Sequence, residues 1–327
     1  MRVAILHNDD DALRDGRPVD AIAVRSVTAV ADAVHAACEA IGWEPVLVTV
    51  TPDPVETLSR LGQVDVVINL AEGIDGNPSL EPAVAWLLEW GAYAFTGSSG
   101  TALALALDKQ VTRAVLGAHG VAIPRGAVLA DRAAPIPSLR YPVIAKPVCH
   151  DASQGIDAAS VVAHERQARE QAHRIIDRYA QAALLEEFID GREFNVALLA
   201  GVALPIREVV FTDPPILTYE AKWMPESAAY AATIPVFCED LPRPLHDRLL
   251  GTARSAWNAL GLRGYARVDL RVDAAGVPFV LDVNPNPDLS PDAGFPLAAA
   301  RAGLSYAELI AALVEDALAH APAATSR

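Results

Sequence analysis

Asp269, Asp282 and Asn284 lie in two β-rich runs, Tyr265–Arg271 and Val277–Asn284, which flank the turn-like Asp273-Ala-Ala-Gly276. Such runs around a short turn read as the arms of an antiparallel hairpin. A loop over 274–277 pairs 273 with 278. That register, carried outward, sets Asp269 opposite Asp282 and Arg267 opposite Asn284 on one face, with Val268, Leu270, Leu281 and Val283 on the other. The apolar face is expected to be core. Like charges directly across a ladder destabilise it by up to roughly 1 kcal/mol, so the acidic face calls for a cation. Two carboxylates and a carboxamide oxygen suit Mg²⁺, which takes few protein carboxylates and fills its shell with phosphate oxygens and water. Asp269, Asp282 and Asn284 are therefore the candidate metal ligands. The alternative is a solvated strand pair in which Arg267 neutralises Asp269, and a one-residue bulge would scatter the shared face.

Phosphates need positive charge, and the chain offers it at strand ends and in loops. Lys146 closes the apolar run Tyr141–Ala145 and precedes the small-residue loop Ser153-Gln154-Gly155, whose backbone N–H groups could cradle an anion. A lysine at a strand end also reads as a solvated terminus. Neither GxxxxGK[ST] nor a GxGxxG after the first strand is present, so the P-loop and the dinucleotide fingerprint do not apply. Glu186-Glu187-Phe188-Ile189, with Glu193 beyond it, offers acceptors and an apolar wall for a purine and its ribose; the same run reads equally as an exposed edge strand. Lys222 and Trp223 fall in the proline-rich stretch 212–235, which reads as a long lid-like loop.

These residues need elements to carry them. Residues 1–107 alternate β-rich runs (RVAILH, PVLVTV, VDVVINL, AYAFTG) with helical-period segments, the pattern of a parallel sheet flanked by helices. Its third strand ends in polar and glycine residues that include Glu72, at the carboxyl end where open α/β sheets bind ligands; the same residues read as a helix entry turn. A helix from Lys109 to Gly120 opens a central lobe, 108–185, which ends with 183–189 as a strand leaving it. Residues 186–327 form a larger lobe with an antiparallel sheet, a closing helix and the disordered tail APAATSR. The expected class is thus α/β combined with α+β, in three lobes.

Composition narrows the partners. A net charge of −15 opposes a broad nucleic-acid footprint. No apolar run approaches the ~18 residues of a membrane span, and the first residues lack a secretory signal, so a cytoplasmic protein with no membrane partner is expected. Cys38, Cys149 and Cys238 have no CxxC spacing and read as reduced thiols.

Taken together and in this order, Lys109, Lys146, the Ser-Gln-Gly loop, Glu186 to Glu193, Lys222, Arg267-x-Asp269 and Asp282-x-Asn284 resemble the ATP-grasp fold, most closely its D-alanine:D-alanine ligase branch. The resemblance implies that Lys109 and Lys146 contact ATP phosphates under a loop holding Ser153 and Gly155. It further implies that Glu186, Glu187 and Ile189 hold adenine, that Glu193 holds the ribose, and that Asp269, Asp282 and Asn284 hold Mg²⁺. Enzymes of this kind phosphorylate a carboxylate and let an amine attack the acyl phosphate. Arg267 would then face the tetrahedral oxyanion while Lys146 and Lys222 steady the transferring phosphoryl group. A homodimer acting on small amino acid-like substrates is also implied.

The departures bear on those substrates. Where these ligases open with Gly-Gly-x-Ser-x-Glu, this chain reads His7-Asn-Asp-Asp-Asp11, with Asp20 a distant substitute; Glu72 stands for a histidine, Ala152 for the loop serine and Trp223 for the lid tyrosine. Asp288 and Ala293 replace the small residues that receive the second carboxylate, with Asp292 beside them. Carboxylates repel a carboxylate, so Asp288 and Asp292 point to an acceptor with an amine or other cation, or without a free carboxylate; alternatively they cap a turn and face water. The readings left open are a ligase with substrates other than two D-alanines, a D-alanine:D-alanine ligase with unusual loops, and a scaffold that binds nucleotide without catalysis.

Overall fold

The computed structural model describes residues 1–10, 13, 14, 21–150, 153–211 and 216–321, and of 21–26 the backbone alone. The expectations for Asp11, Asp20, Ala152 and the tail from Pro322 lie outside the described residues.

The first lobe holds a parallel sheet of β1 (Arg2–His7), β2 (Glu44–Thr49) and β3 (Val66–Asn69) in the order β2-β1-β3. All four residues of β3 are buried, as a strand covered on both faces requires. Helix α1 (Ala21–Ile41) lays Val30, Ala31, Val34 and Cys38 on this sheet at helical spacing. Burial pushes the Cys38 thiol up to about 11. Helices α2 (Pro54–Leu61), α3 (Glu81–Trp90) and α4 (Gly100–Leu107) follow. The expected strand AYAFTG is reduced to a single parallel bridge from Phe95 to Val67, because the chain turns at once into α4.

Helix α5 (Lys109–Ala118) is capped by Asp108, whose carboxylate accepts from the N–H groups of Gln110 and Val111. Expected to open the central lobe, it packs elsewhere. Leu116 joins Leu249, Ala253 and Trp257 of α9 (Arg243–Leu260) in one core, so the apolar stripe of α5 covers the large lobe. The small lobe is built on the sheet β4 (Gly126–Leu129), β7 (Ala183–Glu187), β5 (Val143–Pro147), β6 (Val161–Val162), in that spatial order, covered by α6 (Glu165–Tyr179). The run 183–189 is therefore no departing edge: β7 is fully buried between β4 and β5.

The large sheet runs β11 (Thr233–Phe237), β10 (Arg207–Phe211), β8 (Arg192–Leu199), β12 (Tyr265–Val272), β13 (Pro278–Asn284), with β9 (Val202–Ala203) paired to β8. The stretch read as one long loop contains α7 (Tyr219–Trp223), α8 (Ala228–Ala231) and the start of β11; residues 212–215 lie outside the described set. After β13, α10 (Gly294–Arg301) and α11 (Tyr306–Ala319) return to the first lobe. Helix α11 starts with a capping box between Ser305 and Glu308, and Leu309, Ile310, Leu313 and Val314 share a core with β1, α1 and β3. Among the described residues no single helix is long and apolar enough to cross a membrane.

Phe295 ties α10 to this core. It is 1% exposed and meets the Tyr265 ring edge-on, with centroids 5.5 Å apart. Phe295→Ala should cost about 3–5 kcal/mol through the cavity it leaves, read as a lower urea midpoint with an unchanged slope.

Candidate active site

A cleft of about 830 Å³ opens between the small lobe and the large sheet, and the expected nucleotide residues converge on it. Lys109, Lys146 and Glu186 are 6%, 7% and 2% exposed. The Lys146 ammonium lies 2.6 Å from Glu186 Oε2 and donates to the Leu281 carbonyl at 3.0 Å. Lys109 donates to the His150 carbonyl at 2.8 Å and stands 3.5 Å from Asp282 Oδ1. Arg113, one turn after Lys109 on α5, completes the clamp on Glu186. Held between Lys146 and Arg113, the Glu186 carboxylate fixes Lys146 rather than standing open to a base. Ile144, Phe188, Ile189, Ile216 and Leu281 line the cleft. Glu193 sits at its end with Arg271, whose Nε donates to Glu193 Oε2 at 2.9 Å and whose Nη1 donates to the Ile189 carbonyl at 3.1 Å. Burial and the nearby Asp269 push the Glu193 carboxyl up, while Arg271 works against them. Glu187 also lines the cleft, and its Oε1 accepts from the Arg140 backbone at 2.8 Å.

The Ser-Gln-Gly loop divides its residues. Ser153, in a left-handed conformation (φ 60°), and the buried Gln154 face the cleft. Gly155 does not. It lies on the outer side beside Asp157 and Tyr179, at φ 76°, where a Cβ would come within 2.7 Å of the Pro147 ring. Its expected phosphate contact is thus replaced by a conformational role: only glycine fits that turn.

The hairpin brings the acidic face together by an indirect route. Asp269 pairs with Asp282 and Arg267 with Asn284, as expected, but at the turn Val272, not 273, pairs with Pro278. A bulge between Asp269 and Leu270 on β12 and their partners on β13 restores the register, with Leu281 the unpaired residue. Val280 therefore fills the core position expected for Leu281, and Leu281 lines the nucleotide cleft. Arg267 is bidentate on Asp269, at 2.8 and 3.0 Å, and Asn195 Nδ2 donates to the same carboxylate at 2.7 Å. Burial would raise the Asp282 carboxyl, but Lys109, Lys146 and Arg267 outweigh it and hold it below the usual carboxylate range. Asn284 Oδ1 accepts from the Asn286 backbone at 2.9 Å. Among the described residues no group of three or more His, Cys, Asp or Glu side chains forms a metal site, and the candidate donors on this face are Asp269, Asp282 and Asn284. Hard oxygen donors beside buried lysines fit Mg²⁺ arriving with phosphate.

Two further cavities adjoin the cleft. One, of about 930 Å³, is bordered by Asn8, Glu72, Gln154, Lys222, Asn284 and Asp288. The other, of about 1530 Å³, lies under α7 among Arg207, Lys222, Trp223, Arg267, Asp288 and Asp292. Lys222, Trp223 and Asp288 border both. The Lys222 ammonium lies over the Trp223 ring at 5.0 Å. Burial pushes it below the ordinary lysine range and Arg267 adds to that, while Asp288, Asp269 and Glu72 oppose the shift. Burial also works against the Arg267 charge, but Asp269, Asp282 and Asp288 hold that group above its ordinary value. Asp288 caps a turn, accepting from Ser290 N at 2.8 Å and Ser290 Oγ at 2.6 Å, and Asp292 is exposed. Sequence reasoning missed Arg113 and Asn195, whose partners come from distant elements, and Arg207, which borders the outer cavity. Arg271 carried a usable signal, two residues beyond Asp269 on the same face of β12.

A small-lobe sheet closing over an antiparallel sheet, with lysines from α5 and β5 facing acidic residues of a hairpin, defines an ATP-grasp enzyme, an ATP-dependent ligase that forms carbon–nitrogen bonds. Residues 129–315 match the model of the D-ala D-ala ligase C-terminus. The chain is 30% identical over 326 residues to D-alanine–D-alanine ligase of Gloeobacter violaceus, covering 97% of this chain and 100% of that one. It is 35% identical over 302 residues to an uncharacterised protein, y4sG, of Sinorhizobium fredii, covering 88% and 87%. A crystal structure of D-alanine–D-alanine ligase from Bacillus anthracis complexed with ATP superposes with a TM-score of 0.77 at 19% identity, over 98% of each chain. This chain belongs to the D-alanine–D-alanine ligase family.

The Asp282 carboxyl sits low when folded, so its stabilisation is present above the unfolded value of about 3.9 and is lost as pH falls through the folded value. Asp282→Asn should cost roughly 1–3 kcal/mol at neutral pH by removing the carboxylate that faces the buried Lys109 and should flatten the stability slope below about pH 4, measured by urea titration at successive pH values.

Proposed function

We propose that the protein joins a carboxylate donor to an amine acceptor through an acyl phosphate, with Mg²⁺ held by Asp269, Asp282 and Asn284, and that its substrate pair differs from two D-alanines. The observation that carries this reading is the convergence of Lys109, Lys146, Asp269 and Asp282 on one cleft that opens, past Gln154, into a cavity bordered by Lys222. When bound, ATP would supply the γ-phosphoryl group that converts the donor carboxylate into an acyl phosphate, with the metal offsetting phosphate charge. The chain's own residues position and neutralise. Lys109 and Lys146 hold phosphate oxygens, Lys146 steered by Glu186. Lys222, at the border of the two outer cavities, holds the phosphoryl group on the donor. The acceptor nitrogen forms a bond to the acyl carbon, the carbon–oxygen bond to phosphate breaks, and the nitrogen loses a proton as phosphate leaves. Arg267, fixed by Asp269, donates to the oxyanion formed between those events.

The altered first loop, Glu72, Trp223, Asp288 and Asp292 support a different substrate pair. A second reading, D-alanine used twice, is favoured by the names of relatives such as those of Gloeobacter violaceus and Stutzerimonas stutzeri, the latter 32% identical over 97% of this chain. A homodimer belongs to the proposal through resemblance alone.

ADP release screened over D- and L-amino acids, dipeptides and diamines, with mass spectrometry of products, separates the readings. The expected result is release driven by a pair other than two D-alanines. Efficient turnover of D-alanine alone at millimolar concentration selects the second reading, and no substrate-dependent release leaves a binding scaffold. Arg267→Ala should lower kcat about 10²–10³-fold with nucleotide affinity retained.

Because Lys222 must be charged to act and burial lowers its proton affinity, the alkaline limb of kcat/KM should fall below the ordinary lysine value of about 10.4. Lys222→Arg, which stays protonated, should move that limb upward; an unmoved limb would assign it to another group.

A further inference from the structure

The wide cavity under α7 contains a guanidinium that the mechanism leaves unused. Arg207 of β10 and Asn195 of β8 are paired in register, and both border the cavity together with Arg267 of β12. Arg267 is committed to Asp269. Arg207 is not so engaged: its Nε is enclosed with no hydrogen-bond partner, and among the described residues no carboxylate pairs with it. The neighbour of its charged end is the Phe237 ring, 5.4 Å from Cζ. Burial, and then Arg267, push this guanidinium below the ordinary arginine range, the mark of a charge without a counter-ion.

The opposite wall completes an anion site. Arg207 Nη1 lies against Gly294, where a Cβ would come within 2.5 Å of it. Gly294 is the first residue of α10, whose N-cap residue Ala293 supplies no side-chain acceptor and whose first turn has no acidic residue. The start of α10 and the Arg207 guanidinium thus border the same cavity from two elements. Arg207 is half-buried with its Nε enclosed; leaving such a cation unpaired is unfavourable, and a bound anion offsets that cost.

We propose that Arg207 determines acceptor specificity by receiving a carboxylate that the acceptor carries away from its nucleophilic nitrogen. The proposal rests on the ligase reading above. The nitrogen then points toward Asp288 and Lys222 at the border of the two cavities. An acceptor carrying both an amine and a carboxylate meets both signs of charge. The two aspartates by themselves suggested an acceptor without a free carboxylate; Arg207 supplies the positive charge missing from that count.

The test compares D-alanine, L-alanine and β-alanine with their amides, as acceptors in the ADP-release assay and as titrants in calorimetry of protein loaded with a non-hydrolysable ATP analogue and Mg²⁺. The wild type should bind at least one of the acids over its amide, and Arg207→Met should raise KM for that acid roughly 100-fold with a smaller change in kcat. Arg207→Lys should recover part of the difference, which a merely structural role would not predict. Calorimetric uptake of the ATP analogue by each variant reports that the fold persists. Equal use or equal binding of acid and amide by the wild type, or no saturable binding of any of the acids, overturns the role of Arg207. Failure of the ligase reading looks different: the wild type then takes up no ATP analogue, or binds it and releases no ADP with any donor.

Discussion

Asp269 and Asp282 face each other across the β12–β13 ladder, and the rest of the site answers that repulsion. Each carboxylate is given its own cations. Asp269 takes the fork of Arg267 and the amide of Asn195, while Asp282 takes Lys109 with Lys146 close by. Those partners come from a neighbouring position on the same strand, from the adjacent strand, from α5 and from the small lobe. The acidic pair is therefore also the joint at which the two sheets and α5 meet. Positive charge drawn in for this purpose is the charge that phosphates and a metal-bound nucleotide require.

A second layer of charges keeps the first in place. Glu186 lies between Lys146 and Arg113, and Glu193 is tied to Arg271, so that each group facing the nucleotide cleft is oriented by a buried partner. The packing of α5 against α9, rather than within the small lobe, holds Lys109 and Arg113 to the large lobe while Lys146 and Glu186 belong to the small one. Contacts between those groups thus span the cleft. On the substrate side, α7 carries Lys222 and Trp223 over the border between two cavities, and the turn from Asp288 to Gly294 closes the outer one. That turn is anchored by Phe295 in the core of the first lobe, which links acceptor-side geometry to α10 and α11.

Much of this was legible in the chain, because alternation along a strand has a period of two and assigns each residue a face. Arg267, Asp269, Asp282 and Asn284 could be placed on one face by that rule. The pairing was right for a reason the pattern does not contain: the turn register was off by one and the bulge at Leu281 restored it. An unpaired residue leaves no mark on hydrophobic alternation when a leucine serves either the core or a purine cleft. For the same reason 183–189 read as a strand leaving the central lobe although β7 is central to its sheet, since an apolar run does not say how many neighbours it has.

The sequence by itself determined the lobed α/β architecture, the family, and the order of lysines and carboxylates along the chain, because each of these is a local pattern of spacing and residue type. Only the tertiary structure decided that Gly155 faces away from the cleft, that Glu186 is occupied by Lys146 and Arg113, and that Arg207 has no counter-ion among the described residues beside the start of α10. Those facts depend on which distant side chains share a buried volume. Charge is compensated through space, between groups separated by many residues, so no local reading of the chain could have supplied them.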